Sequence, residues 1–277
     1  MVPLGPLYWS VGKATDPAQR GDDFGGPMIA ASLRRWMLGY RAAADLAIPA
    51  RPVANELLRL DTPQGQQLLF RSAARAAFLP LVSVFETQRN QTYCGVASVV
   101  MVLNALELPA PTAAEHGTCR IFTQRNVLNG RTDVVVRERR IARRGMLLAE
   151  VAKVLEAYGA SVDLREAASS SAGSFRELAV RHLSEPGRYV IVNYSRSSLG
   201  QEGAGHTSPL GAYDAETDRF LILDVARYRA PAIWITSDHL FAAMAAPKSP
   251  GNPQSRGFLL ISKRLDSDAG QAQTAAP

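Results

Sequence analysis

Thirteen consecutive residues, Cys94-Gly-Val-Ala-Ser-Val-Val-Met-Val-Leu-Asn-Ala-Leu106, are apolar nearly all round. A helix of this kind has to be buried on most of its sides. Its β-branched content would equally allow a strand, but a run of this length favours a helix. A chain of 277 residues has interior enough to enclose it. At the first position of this segment stands Cys94, one of two cysteines in the chain, the other being Cys119.

The elements around that segment follow from periodicity. Met146 to Tyr158 places Leu147, Leu148, Val151, Val154 and Leu155 at helical spacing, with Gly159 as the stop. Phe175 to Leu183 reads as a third helix. After Gly187 the texture changes to strands, predicted at Tyr189–Tyr194, His206–Tyr213, Arg219–Val225 and Phe258–Ser262. Helices first and antiparallel strands after give an α+β chain. Residues 1–55 read as an N-terminal extension containing an amphipathic helix over Ala30–Leu46. Residues 56–264 read as one catalytic domain, and 265–277 as a small, polar, disordered tail.

Composition narrows the function classes. No run of eighteen apolar residues exists, so no membrane partner is expected. The N-terminus lacks the basic start and apolar core of a secretory signal. Two cysteines make no disulfide framework, and a reducing, cytoplasmic setting is the expectation. Between Arg120 and Arg144 eight arginines face two acids, Asp133 and Glu138, which equals the whole net charge of +6. Such a run is most simply a solvated helical or loop surface, with a patch that steers anionic substrates as the other reading. No nucleic-acid motif accompanies it, so no nucleic-acid partner is expected.

A cysteine opening a buried helix has a chemical advantage. Unpaired amides and the dipole at a helix N-terminus favour the thiolate, which is the reactive species. Gly95 leaves room for a substrate backbone, and the Gln88 amide six residues upstream can join the Cys94 N–H in an oxyanion hole. Cys94 alone is equally compatible with a buried structural cysteine. His206, in Gly-Ala-Gly-His-Thr-Ser-Pro, and Asp224, which interrupts the apolar run Phe220–Val225, shift that balance. A carboxylate in such a strand is costly unless it is hydrogen-bonded. If the two strands form a hairpin with Tyr213 opposite Arg219, His206 faces Ala226 and Asp224 is its diagonal neighbour on the same sheet face. A histidine oriented by a carboxylate and aimed at a thiol is the logic of a nucleophilic triad. His116, His182, His239 and Cys119 have no ligand or redox spacing.

Four blocks then carry a resemblance. Phe85–Ser98 with Val102–Leu106, Asn193–Pro209, Leu223–Tyr228 with Pro231 and Trp234, and Arg256–Ser262 resemble, in order, segments of the phytochelatin synthases. The resemblance implies a papain-like cysteine proteinase fold and glutathione as substrate and partner. It implies Cys94 as nucleophile, His206 as base, Asp224 as its orienting partner and Gln88 as oxyanion donor. Arg196 and Arg256 fall on positions linked to substrate binding, with Gly205 and Tyr194 beside them. A guanidinium suits the γ-glutamyl carboxylate; the bland alternative for both arginines is a surface ion pair. No cofactor is required under this reading. A thiophilic metal ion such as cadmium or zinc enters as a thiolate complex of the substrate, and a homodimer is left open.

Two departures bear on the reaction. Plant-type members carry a long cysteine-rich C-terminal region, whereas this chain ends soon after Arg264 and resembles the short prokaryotic members. In Met244-Ala-Ala-Pro-Lys248, Lys248 stands near a position that is often acidic in the family. Both departures point toward cleavage of glutathione rather than polymer synthesis. A different papain-like peptidase, and a non-catalytic thiol or metal-binding protein, are the alternatives.

Overall fold

The computed structural model describes residues 57–247 and 256–264. The expectations for residues 1–55, for Lys248 and for the tail lie outside the described residues.

The apolar segment is a helix, α3 (Cys94–Ala105), in which every residue from Gly95 to Leu103 is buried. Val96, Val99, Val100 and Val102 each give up at most about 0.7 kcal/mol of helix propensity. Burying each of these side chains returns about 1.5–3 kcal/mol, so tertiary burial decides the conformation. Two further helices precede α3 in the chain, α1 (Pro63–Arg71) and α2 (Phe78–Ser83). Thr62 caps α1 by accepting from the Gly65 N–H at 3.1 Å, with proline at the first helical position.

The basic run forms α4 (Glu138–Arg144), a short helix with Ile141 as its one buried residue. That agrees with a solvated basic surface. Next come α5 (Leu148–Ala157) and α6 (Ala172–Ser184), both close to the predicted spans. Seven strands make one antiparallel sheet in the order β1-β6-β5-β4-β3-β7-β2. They are β1 (Leu58–Arg59), β2 (Ala160–Glu166), β3 (Arg188–Ser195), β4 (Gly205–Asp214), β5 (Arg219–Ile222), β6 (Ile233–Thr236) and β7 (Gly257–Lys263). The last helix, α7 (Ser237–Ala245), runs on directly from β6.

The centre of the sheet is covered on both faces, because every residue of Tyr189–Ser195 and of His206–Asp214 is buried. Helix α3 packs on β4, while α6 and α7 pack on β3. Phe175 of α6 meets Phe220 and Phe258 of the sheet, with ring centroids 5.1 and 4.9 Å apart. Strand β5 stops at Ile222, three residues short of its expected end. Beyond it the chain leaves the ladder and delivers Asp224 to the site. Strands β2 and β6 were not anticipated from the sequence pattern.

The hairpin register corrects one expectation. At the tip Asp214, not Tyr213, faces Arg219, one residue away from the predicted pairing. Carried down the hairpin, that register would turn Asp224 to the face opposite His206, since a one-residue slip exchanges the two faces. A bulge between Leu210 and Ala212 absorbs one residue, and Leu210 then pairs with Ile222. The predicted register is thereby restored on the side of the hairpin where the site lies.

Gly95 has a packing role rather than the substrate-clearance role first expected. A Cβ there would lie 3.1 Å from both the Met146 Cβ and a Val151 methyl, so the glycine lets α3 seat against α5. Gly95→Ala is expected to lower stability by about 1–3 kcal/mol through overpacking. Urea unfolding should show a lower midpoint with an unchanged slope. An unchanged midpoint would mean that α5 gives way without cost.

Candidate active site

The N-terminus of α3 places the half-buried Cys94 at the sheet centre. Ser98, one turn on, donates to the Cys94 carbonyl at 2.8 Å and reaches the Thr207 carbonyl of β4 at 3.2 Å. Asn193 of β3 donates to the His206 carbonyl and to the Thr207 hydroxyl, at 3.1 and 2.8 Å. Helix and sheet are thus tied together at the residues that carry the thiol and the imidazole.

His206 Nε2 donates to Asp224 Oδ1 at 2.9 Å, which leaves Nδ1 for the hydrogen bond with Cys94. Asp224 is 1% exposed and saturated with donors. The Ala226 N–H reaches its Oδ1 at 2.8 Å, and Arg196 Nη2 spans both oxygens at 2.8 and 2.7 Å. Burial alone would raise the Asp224 pKa, but the charge and hydrogen bond of His206, with Arg196 and the Ala226 amide, bring it below the ordinary value. Burial would likewise lower that of His206, yet the Asp224 carboxylate and the Cys94 sulfur raise it. Burial opposes ionisation of the Cys94 thiol, and the His206 imidazole with the Thr207 and Gly95 amides outweighs it, so its pKa falls. Both shifts favour the thiolate–imidazolium form, the reactive one for a nucleophilic cysteine.

A cavity of about 440 Å³ opens over the imidazole. Gln88, Gln91 and Thr92 form one wall, Glu202 to Gly205 another, and Arg196, Ala226 and Arg229 complete it. The Gln88 backbone N–H is held by the Val225 carbonyl at 2.8 Å, which joins the Gln88 loop to the segment that carries Asp224.

The structure sorts the expected substrate contacts. Gly205 lines the cavity. Arg196 touches the cavity wall, but its guanidinium is committed to Asp224 and to Gln201 in a buried ion pair rather than a surface one. Tyr194, expected beside the substrate, is fully buried. It packs edge-on against the His206 ring at a centroid distance of 5.7 Å, so it fixes the imidazole from behind. Arg256 is 4% exposed and lies against Gly205, its Nε 3.5 Å from where a Cβ would stand. The Ala246 carbonyl, at 2.6 Å, is its acceptor among the described residues, and burial lowers its pKa. The Arg196–Asp224 pair was missed because its members stand 28 residues apart. Their one sequence signal was a buried-strand carboxylate that needed a partner.

The other singled-out residues have local roles. His182 bonds the Leu178 carbonyl within α6, His239 bonds the Ser198 carbonyl, and Cys119 is exposed. Among the described residues no group of three or more His, Cys, Asp or Glu could hold a metal ion, and no helix is long and apolar enough to cross a membrane.

A family model described as phytochelatin synthase matches residues 48–258. The chain belongs to the phytochelatin synthase family. Glutathione gamma-glutamylcysteinyltransferase 3 of Lotus japonicus is 34% identical over 237 residues, which are 85% of this chain and 46% of that protein. Glutathione gamma-glutamylcysteinyltransferase 1 of Arabidopsis thaliana is 34% identical over 238 residues, 85% of this chain and 45% of that protein. The Schizosaccharomyces pombe glutathione gamma-glutamylcysteinyltransferase is 24% identical over 214 residues, 76% of this chain and 50% of its own length. The chain thus spans about half the length of these curated phytochelatin synthase relatives.

The directions of the pKa shifts generate a test of the triad. The lowered Cys94 pKa and the raised His206 pKa both move toward a thiolate–imidazolium pair. Asp224→Asn removes the charge that holds the proton on His206, so the imidazolium should be lost at lower pH than in the native chain. Proton NMR titration of the His206 ring reads this directly. A His206 titration that stays in place would show that Asp224 does not set its proton affinity.

Proposed function

We propose that this chain cleaves the Cys–Gly bond of glutathione through a γ-glutamylcysteinyl thioester on Cys94. The observation that carries the reading is the thiol–imidazole–carboxylate alignment at the cavity, in a chain whose relatives are named for γ-glutamylcysteinyl transfer from glutathione. A papain-like arrangement is part of the same reading. Its support is a nucleophile that opens a buried helix, with its base and carboxylate carried by an antiparallel sheet.

The Cys94 thiolate attacks the cysteinyl carbonyl, and the carbonyl electrons move onto oxygen. Collapse of that oxyanion expels the glycine amine, which takes its proton from His206. Neutral His206 then deprotonates the acceptor. Water gives γ-glutamylcysteine, and the amine of a second glutathione gives a phytochelatin. Asp224 and Arg196 keep the imidazole aligned through both halves, with Gln88 on the oxyanion side. Arg256 is the arginine proposed for the γ-glutamyl carboxylate, because Arg196 is already paired. A thiophilic cation such as cadmium enters as substrate, bound to glutathione thiolate.

Incubation with glutathione, with and without cadmium, should release free glycine, and Cys94→Ala should abolish the release. Release that survives this substitution would refute the thioester route. Arg256→Gln should raise KM for glutathione by about 10–100-fold, the worth of a charged hydrogen bond, with kcat little changed. A KM that does not move would remove Arg256 from the substrate site.

A further inference from the structure

The basic run at α4 is held in a particular place. Five arginines stand between Arg137 and Arg144, with Glu138 as the one acid among them. Glu138 is engaged elsewhere: it accepts from the Tyr93 hydroxyl at 2.8 Å and from Arg89 Nη2 at 2.5 Å, both in the loop that leads into Cys94. At its other end α4 stops at Gly145, where a Cβ would lie 3.3 Å from the Thr92 carbonyl oxygen. Thr92 and Gln91 line the cavity over His206. Both ends of α4 thus lie against the loop that forms one cavity wall.

Pairing removes one arginine from the run, because Arg140 bonds Glu150. Arg137, Arg139, Arg143 and Arg144 are exposed, and their side chains have no hydrogen-bond or ion-pair partner among the described residues. The remaining acid of the segment is Asp133, exposed on the turn before α4. Local helix energetics do not account for this arrangement. Arg139 and Arg143 repel as i,i+4 neighbours. Arg143 and Arg144 complement the dipole at the C-terminal end, but Arg137 and Arg139 stand at the end where it disfavours a cation. The charges of the cavity itself cancel in number, Arg229 against Glu202 and Arg196 against Asp224, so α4 supplies the excess positive charge beside its mouth. Arg144 is the residue before Gly145, about 3.8 Å away at Cα. The screening length at 0.1 M salt is about 10 Å, so a charge placed there acts on the mouth without touching what enters.

We propose that α4 is an electrostatic collector for the substrate: its four exposed arginines concentrate anionic glutathione species at the cavity mouth and weight the site toward the more negatively charged ones. Glutathione carries two carboxylates and one ammonium at neutral pH, hence one net negative charge. Fields focused at a cleft raise the local concentration of such a ligand. The arginines stay clear of the reacting atoms. This inference rests on the glutathione-cleaving reading and adds to it the step that precedes binding.

The test replaces Arg137, Arg139, Arg143 and Arg144 together by glutamine, beside a variant with lysine at all four positions. The probes rise in charge: glutathione ethyl ester is neutral overall, glutathione has one negative charge, and glutathione sulfonate, read as a competitive inhibitor, has two. At about 0.01 M salt the screening length is about 30 Å. There the glutamine variant should leave KM for the ester unchanged, raise KM for glutathione about threefold and raise Ki for the sulfonate about tenfold, with kcat unaltered. The gradation follows because the interaction energy is proportional to ligand charge. Raising sodium nitrate to about 1 M should erase the differences, and the lysine variant should match the native chain. Arg139→Glu with Arg143→Glu removes the same charge through two substitutions and should give the same shifts, which keeps the test open if the fourfold glutamine variant unfolds. Equal changes for all three ligands, a shift that survives high salt, or a lysine variant that behaves like the glutamine one would mean that α4 acts by shaping the loop, and the proposal falls. Unchanged constants overturn it as well, and binding of heparin or anionic vesicles by the native chain would then give the surface to a macromolecule. Absence of glycine release by the native chain would defeat the underlying reading and this inference with it, whereas native release with ungraded constants defeats this inference alone.

Discussion

A carboxylate at 1% exposure is the constraint on which this architecture turns. Asp224 would be intolerable in an apolar strand without compensation. It receives that compensation from an imidazole, a guanidinium and a backbone amide brought from three separate parts of the chain. Removing one partner from such a buried set leaves a charge uncovered, and that is far worse than never having built the pair. The loop after β3, the strand β4 and the segment after β5 are held together by this demand. The environment of the thiol follows from it, because the charge on Asp224 raises the proton affinity of His206 next to Cys94.

Helix α3 supplies the other half of the constraint. Ser98 fastens its first turn to β4. The apolar composition that forces α3 into the core thereby also forces Cys94 toward His206. Gly95 serves the same end by letting α5 approach closely.

Much of this was legible from residues alone, for identifiable reasons. The length and composition of 94–106 demanded a buried helix, and Asp224 stood out as a charge in an apolar run. The four-strand core of the sheet was visible because β3, β5 and β7 carry short apolar runs, and β4 follows the Gly203–Gly205 turn signal and ends in Leu-Gly-Ala-Tyr213. Strand β6, four residues long, was too short to show a period, and β2 mixes Asp163 and Arg165 into an exposed edge. Pairing between distant residues left no trace either. Arg196 showed the right chemistry with no sign of its partner. Tyr194 was assigned to the substrate side because sequence adjacency does not say which way a strand residue points.

The bulge between Leu210 and Ala212 separates two jobs that a hairpin usually combines. On its far side, the turn that includes Glu216, itself 73% exposed, sets how the strands meet at the tip. On its near side, the pairing of Leu210 with Ile222 sets which way His206 and Asp224 face. Gly211 sits at the joint with Leu223 and Phe78 packed 3.2 Å from where a Cβ would be, so the kink is held in place by the core. The tip itself is anchored from outside the sheet, since Arg71 of α1 pairs with the buried Asp214 and with Glu216, and Arg176 of α6 pairs with Asp218. A graft or a pair of new chain ends placed at Glu216 would therefore load α1 and α6 before it reached the register that sets how His206 and Asp224 face.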